Sequence, residues 1–201
     1  SAIKAMLSSG LSGMAINHSD IGGYTALKFP FFKNILRDKE VLFRWMEFEA
    51  FTPIFRSHEG LLPDDMVQYY TDTGTQKFFA RFGKIHKDLE PYFKSLIKEA
   101  SETGIPVIRH PWLVCPNDTS CMNTHYQFFV GDDLLVLPVT ERGQTTVRGY
   151  FPEGTWIHFF HGTEFLGNRL QDVYSPVGTP GVFVRKFSEL ELLKIRENRL
   201  E

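Results

Sequence analysis

The residue pattern changes character at Gly104, and that change limits the fold more than any single motif. Before it, apolar residues recur at helical spacing. Phe78, Phe79, Phe82, Ile85, Leu89, Phe93, Leu96 and Ile97 mark one face of a helix over 75–102. Pro91 lies inside that run, removes a backbone donor and predicts a kink or a split, and Gly104 predicts the C-cap. The earlier run "DKEVLFRWMEFEAF" places Val41, Leu42, Trp45, Phe48 and Ala50 at near-helical spacing, with Asp38 as N-cap and Pro53 as the stop. Further upstream, "GMAIN" (13–17) reads as a buried strand entering a Gly-Gly turn.

After Gly104 short apolar runs alternate with turn residues: "IPVIRHPWL", "HYQFFVG", "DDLLVLPVT", "TTVRGYFP", "TWIHFFHG" and "GVFVRKF". That spacing predicts an antiparallel sandwich. A short terminal helix is expected over 188–200. The chain therefore reads as α/β: strand–helix–strand–helix over 1–104, then an all-β module over 105–201. A parallel (β/α)8 TIM barrel needs eight strand–helix units. About two fit here, so the first part is expected to be the closing piece of such a barrel.

The chain has 201 residues, 42% hydrophobic and 14% aromatic, which supplies a core and excludes disorder on composition. Net charge is −2 with no long like-charged block, so nothing predicts a nucleic-acid or anionic-membrane partner. No apolar run is long enough to cross a bilayer and no signal peptide heads the chain. It begins with Ser1, so it is expected to be a fragment, and the missing leader says little about the parent. Cys115 and Cys121 flank "CPNDTSC", for which a local disulfide and two thiols both fit; the repeated Cys/His pairs of a zinc site are lacking. Asn117-Asp118-Thr119 fits the N-glycosylation pattern, relevant only to a secreted protein. Compartment and oligomeric state stay open.

Chemistry concentrates at two polar clusters. "NHSDIGGYT" (17–25) offers His18, Asp20 and Tyr24 at the end of the expected first strand; "FRSHEG" (55–60) offers Arg56, His58 and Glu59 at the mouth of the next. Strand ends of one kind build the pocket of a parallel barrel. Imidazole, carboxylate, guanidinium and phenol together suit a polyhydroxylated ligand, whose hydroxyls need both donors and acceptors. Plainer readings stand beside this one. Asp20 could cap a turn, Arg56–Glu59 could be an ordinary ion pair, His58 a structural residue and Tyr24 a core residue. No Gly-x-Ser-x-Gly, phosphate loop or His-Glu-x-x-His is present. Asp132-Asp133 on a strand would point to opposite faces, poor placement for an acid/base pair, and Asp64-Asp65 reads as a solvated loop.

The order of these motifs resembles the C-terminal part of glycoside hydrolase family 31. "SDIGGYT", "RWMEFEAFTPIFRSHEG", "LEPYFKSLIKEASETGIPVIRHP", "YQFFVGDDLLVLPVTERG", "FPEGTWIHFFHG" and "SPVGTPGVFVR" follow the family in sequence. Within it, "NHSDIGGYT" with "AFTPIFRSHEG" is most similar to the sulfoquinovosidases. The resemblance implies a retaining α-glycosidase acting by double displacement, in which one aspartate attacks the anomeric carbon and another protonates the leaving oxygen. It places both before residue 1, so no catalytic residue is expected within this chain, which alone should be inactive.

By the same resemblance Tyr24 matches a tyrosine that helps hold a sulfonate, and His58 a histidine that binds sugar hydroxyls. Asp20 and Arg56 match positions lining or bracing the pocket. The implied partner is an α-glycoside, sulfonated or neutral; no cofactor and no metal are implied. An α-glucosidase, an α-xylosidase and a non-catalytic sugar-binding relative are the alternatives. One departure stands out: Arg109 is followed by His110 before Pro111, where the family has Arg-Pro.

Overall fold

The computed structural model describes residues 2–31, 34–188 and 192. Four longer helices come first: α1 (Ala2–Leu11), α2 (Lys39–Glu49), α3 (Thr73–Asp88) and α4 (Glu90–Thr103). Asp38 caps α2 by accepting from Val41 N at 2.9 Å. The expected long helix is split at Leu89, whose carbonyl still accepts from Phe93 N at 3.0 Å, so Pro91 divides the helix without breaking its packing. Gly104 ends α4 in the left-handed conformation, φ +78°.

Two expectations upstream need correction. Residues 13–17 form no strand, and Met14 and Ile16 are exposed. A strand requires a ladder, and this segment has single rungs to different neighbours: Val107 N to Ala15 O, and Ile21 N to Arg56 O. Helix α1 is not legible from its sequence, "AIKAMLSSGL", which carries serines and Gly10. The glycine is needed there because a Cβ would press on Pro106 and the Ile108 carbonyl at 3.3 Å.

The second part is β-rich. Strands β1 (Ile108–Arg109), β2 (Phe128–Val130), β3 (Leu134–Leu137), β5 (Thr155–His158), β6 (Glu164–Leu166) and β8 (Gly181–Arg185) form one sheet ordered β1-β2-β3-β8-β5-β6. Strands β4 (Thr146–Phe151) and β7 (Arg169–Tyr174) form a second, and every pairing within the two sheets is antiparallel. "PWLV" turns out helical, as α5 (Pro111–Val114), followed by α6 (Thr119–Met122). His110 caps α5 by accepting from Trp112 N, a local role for the residue that departs from the family pattern. Cys115 and Cys121 are joined in a disulfide. The expected terminal helix lies, apart from Ser188 and Leu192, outside the described residues.

The large sheet is buried on both faces. Phe128, Val130, Leu134, Val136, Val182 and Val184 join one core with the helix residues Leu42, Met46, Phe82 and Ile85. Their alternate neighbours Phe129, Leu135, Leu137 and Phe183 join Trp156, Phe151 and Val173 in a second core. Two-sided burial explains why these strands read as unbroken apolar runs. Polar contacts reinforce the first junction. Buried Arg44 and Glu47 of α2 pair at 3.0 Å; Arg44 donates to Gln144 O, and Glu47 accepts from Gly178 N at 2.5 Å.

Candidate functional site

Ile21 and Ser57 form a parallel bridge, the contact that sets the two polar clusters side by side. Each cluster follows or precedes a turn with little regular pairing, so something else must fix their geometry. Arg37 does much of this. It lies buried just before the N-cap of α2, and its Nη1 donates to Ile21 O (3.1 Å), Gly23 O (3.2 Å) and His58 O (3.1 Å). Its Nη2 donates to Gln68 Oε1 (2.6 Å) and its Nε to Val67 O (2.8 Å). One guanidinium thereby satisfies carbonyls of both turns, a task suited to its planar array of five donors. Gly22 (φ +81°) and Gly23 (φ +75°) follow from this: both need left-handed backbone, and a Cβ on Gly22 would overlap Arg37 Cδ.

The predicted residues meet on this frame. Asp20 Oδ1 lies 3.5 Å from Arg56 Nε and 3.9 Å from His18 Nε2. That oxygen is buried, yet among the described residues it accepts no hydrogen bond. Arg56 faces Asp20 in an ion pair, whereas Glu59 has Tyr70 Oη at 3.4 Å. Tyr24 and His58 contact edge to face, with centroids 4.9 Å apart. Tyr24 is 45% exposed and so not a core residue. His58 Nδ1 accepts from Gly60 N at 3.0 Å, which in the neutral ring leaves the proton on Nε2, free to donate. The plainer reading of His58 is thus satisfied by one nitrogen only.

Two further residues shape the rim without being legible as site residues. Glu49, fully buried at the end of α2, accepts from Ser19 N (3.1 Å), from Ser19 Oγ and from Thr52 Oγ1 (2.8 Å). Burial, only partly offset by these donors, pushes its pKa up to about 7. Trp45 Nε1 donates to Ser19 Oγ at 2.9 Å. Glu49 closes the stretch "MEFE" (46–49) as an ordinary polar position of a helix, so only the fold reveals its burial.

The rim is open. Of three cavities elsewhere in the described structure, none is lined by Asp20, Tyr24, Arg56 or His58. Asp132 and Asp133 hold Arg109 (2.6 Å) and Arg185 (3.3 Å) respectively, which gives both aspartates structural employment. Among the described residues no three His, Cys, Asp or Glu side chains gather as metal ligands, and no helix is long and apolar enough to cross a membrane.

A parallel contact between two polar turns, long helices against it, and an antiparallel two-sheet module beyond Gly104 define the closing part of a (β/α)8 barrel carrying a β-sandwich. The match to sequence families is specific. The chain belongs to glycoside hydrolase family 31: residues 1–96 match its TIM-barrel domain and residues 104–188 its C-terminal domain. It is 39% identical over 189 residues to the sulfoquinovosidase of Escherichia coli K12, covering 94% of this chain and 27% of that protein. It is 42% identical over 184 residues to the sulfoquinovosidase of Agrobacterium fabrum C58, covering 91% of this chain and 27% of that protein. A solved family 31 sulfoquinovosidase from E. rectale, bound to an aza-sugar inhibitor, superimposes with a TM-score of 0.88 at 37% identity, over 96% of this chain and 28% of that one. The chain spans little more than a quarter of the length of these relatives.

Proposed function

We propose that this chain is the C-terminal portion of a retaining α-glycosidase that hydrolyses α-sulfoquinovosides. In this reading residues 1–104 close the catalytic barrel and 105–201 form the sandwich behind it. Asp20, Tyr24, Arg56 and His58 line one side of the sugar subsite. The nucleophilic and acid/base carboxylates come from the part of the protein preceding this chain, and the open rim fits a pocket whose other walls that part supplies.

The observation that carries this reading is the unfilled acceptor on Asp20. A buried carboxylate oxygen with no donor is costly unless a ligand completes it. Arg56 faces the carboxylate in an ion pair at 3.5 Å, and His58 Nε2 is the ring nitrogen left over by the bond from Gly60 N, a donor from the neighbouring turn. A sugar diol presents the complementary set, one hydroxyl donating to Asp20 and a neighbour accepting from His58. Tyr24, exposed and packed against His58, supplies a phenol at the same edge for a further oxygen, including one on a sulfonate. The similarity to two sulfoquinovosidases at about 40% identity favours that substrate.

The test is hydrolysis by the complete protein of an α-sulfoquinovoside and the matching α-glucoside. A preference for the sulfonated sugar is the expected result. Preference for the neutral sugar would keep the glycosidase and discard the sulfonate, and cleavage of neither would discard the enzyme.

A further inference from the structure

Glu49 poses a problem that the sugar-binding reading leaves unanswered. Its carboxyl group is wholly buried at the C-terminal end of α2, where the helix dipole disfavours a negative charge. The groups facing it are the Ser19 amide and hydroxyl and the Thr52 hydroxyl, with the Trp45 indole N–H behind Ser19. None of these is a cation. An alanine or leucine would avoid burying the carboxyl group, so the position calls for what the carboxyl group holds.

What it holds is the middle of the rim. Between the backbone rungs at Ala15 and Ile21 the chain finds no sheet partner for its amides among the described residues. The Ser19 N–H finds its acceptor in Glu49 Oε1 instead of a neighbouring strand. Ser19 stands between His18 and Asp20, so its orientation sets theirs. We infer that Glu49 is a positioning residue that pins Ser19 to helix α2 and thereby aims the Asp20 carboxylate at the ligand, an inference that rests on the sugar-binding reading of Asp20.

The bonding also states which property of Glu49 matters. Thr52 Oγ1 has alternative acceptors in Glu49 O (2.9 Å) and Ile54 O (3.0 Å). A proton on Glu49 Oε2 therefore has a partner in Thr52 Oγ1, whose own hydrogen turns to a carbonyl. Oε1 then still accepts both bonds from Ser19. A glutamine meets the same requirements with its amide nitrogen toward Thr52. Positioning through Oε1 consequently needs an acceptor at that point but no charge.

The experiment compares the complete protein with its Glu49→Gln and Glu49→Ala variants in two measurements. One is kcat and KM for the α-glycoside; the other is amide hydrogen exchange of the segment containing Ser19. Melting temperatures verify that each variant is folded. Expected for Glu49→Ala is loss of Ser19 protection and at least a tenfold rise in KM, with kcat changed less. Glu49→Gln is expected to keep protection and to remain within about threefold of the parent KM. Two results overturn the inference: Glu49→Ala with parental protection and kinetics, or Glu49→Gln failing as badly as alanine, which would make the charge the functional property. If the parent cleaves no glycoside, the proposed function fails while exchange at Ser19 still decides the role of Glu49.

Discussion

Gly22 and Arg37 share one space: the β-carbon that any other residue would carry at position 22 falls on the Arg37 side chain. The positive φ of Gly22 alone would tolerate asparagine at modest cost, but the arginine leaves no room for it. Gly22→Ala should therefore cost more than its backbone strain, on the order of 2 kcal/mol or more once the guanidinium is displaced from its carbonyls. Arg37→Met, which removes the donors but keeps much of the stem, should destabilise by a similar or larger amount by leaving the carbonyls of Ile21 and His58 unpaired. Denaturant titration of the complete protein checks both. Parental stability in Gly22→Ala would show that Arg37 does not brace the turns.

Asp20→Asn tests the open acceptor. The amide keeps the shape but weakens the pairing with Arg56 and places an N–H where a hydroxyl should donate. Activity on the α-glycoside should fall by about two orders of magnitude in kcat/KM, on the scale of losing a hydrogen bond to a charged group. Melting temperature should hardly move, because the lost partner is the ligand. A large stability loss with activity intact would return Asp20 to a turn-capping role.

Tyr24 and His58 touch edge to face but should separate in their effects. His58→Ala removes a donor to the sugar ring and should reduce turnover of sulfonated and neutral substrates alike. Tyr24→Phe retains the ring contact and removes one hydroxyl, so it should penalise the sulfonated sugar by roughly tenfold more than the glucoside. Paired kcat/KM values on the two substrates decide this, and equal losses would remove the sulfonate from the role of Tyr24.

These residues differ in how far the sequence exposes them. Asp38, Pro91 and Gly104 act locally, through a cap, a missing N–H and a left-handed turn, and their sequence signals translate directly into helix boundaries. Asp20, Tyr24, Arg56 and His58 are polar residues in two compact clusters, which the expectation of two neighbouring strand ends in a parallel barrel put at one cleft and which the Ile21–Ser57 bridge joins. Arg37, Glu47 and Glu49 are illegible because their burial depends on partners many positions away; Arg37 lies in a loop, and a charged side chain in an amphipathic helix, as Glu47 and Glu49 are, ordinarily reads as solvated. The strand expected over 13–17 fails for the same reason: apolar composition predicts burial, while strand formation depends on neighbours the local sequence does not contain.

The Arg44–Glu47 pair ties α2 to the sandwich and should be felt when only half of it is removed. Arg44→Met leaves Glu47 buried beside Gly178 N without its paired cation, with Arg81 still contributing positive charge nearby. That should destabilise by about 3 kcal/mol, and Arg44→Met combined with Glu47→Met should recover part of the loss, since an apolar pair escapes the desolvation penalty. Thermal melts of the two variants give the comparison. A double variant no better than the single one would mean that the carbonyl of Gln144 and the amide of Gly178 carry the junction instead.

Glu49 and His158 should pull the acid stability profile in opposite directions. Burial raises the Glu49 pKa to about 7 in the folded state, so between about 7 and 4.5 the folded chain takes up that proton before the unfolded chain does, and stability rises as pH falls. His158, buried on β5 with Nδ1 accepting from Phe160 N, is driven down to about 4 first by burial and then by His161. Between about 6.5 and 4 the unfolded chain takes up that proton first, and stability falls as pH falls. Each full crossing is worth at most roughly 3 kcal/mol, so over pH 4.5–6.5 the two contributions largely offset one another. Removing either should uncover the other: Glu49→Gln should lose melting temperature more steeply than the parent on acidification, and His158→Asn less steeply. Melting curves from pH 4.5 to 8 on the three proteins are the measurement. Parallel profiles would mean that neither group changes its affinity for protons on folding.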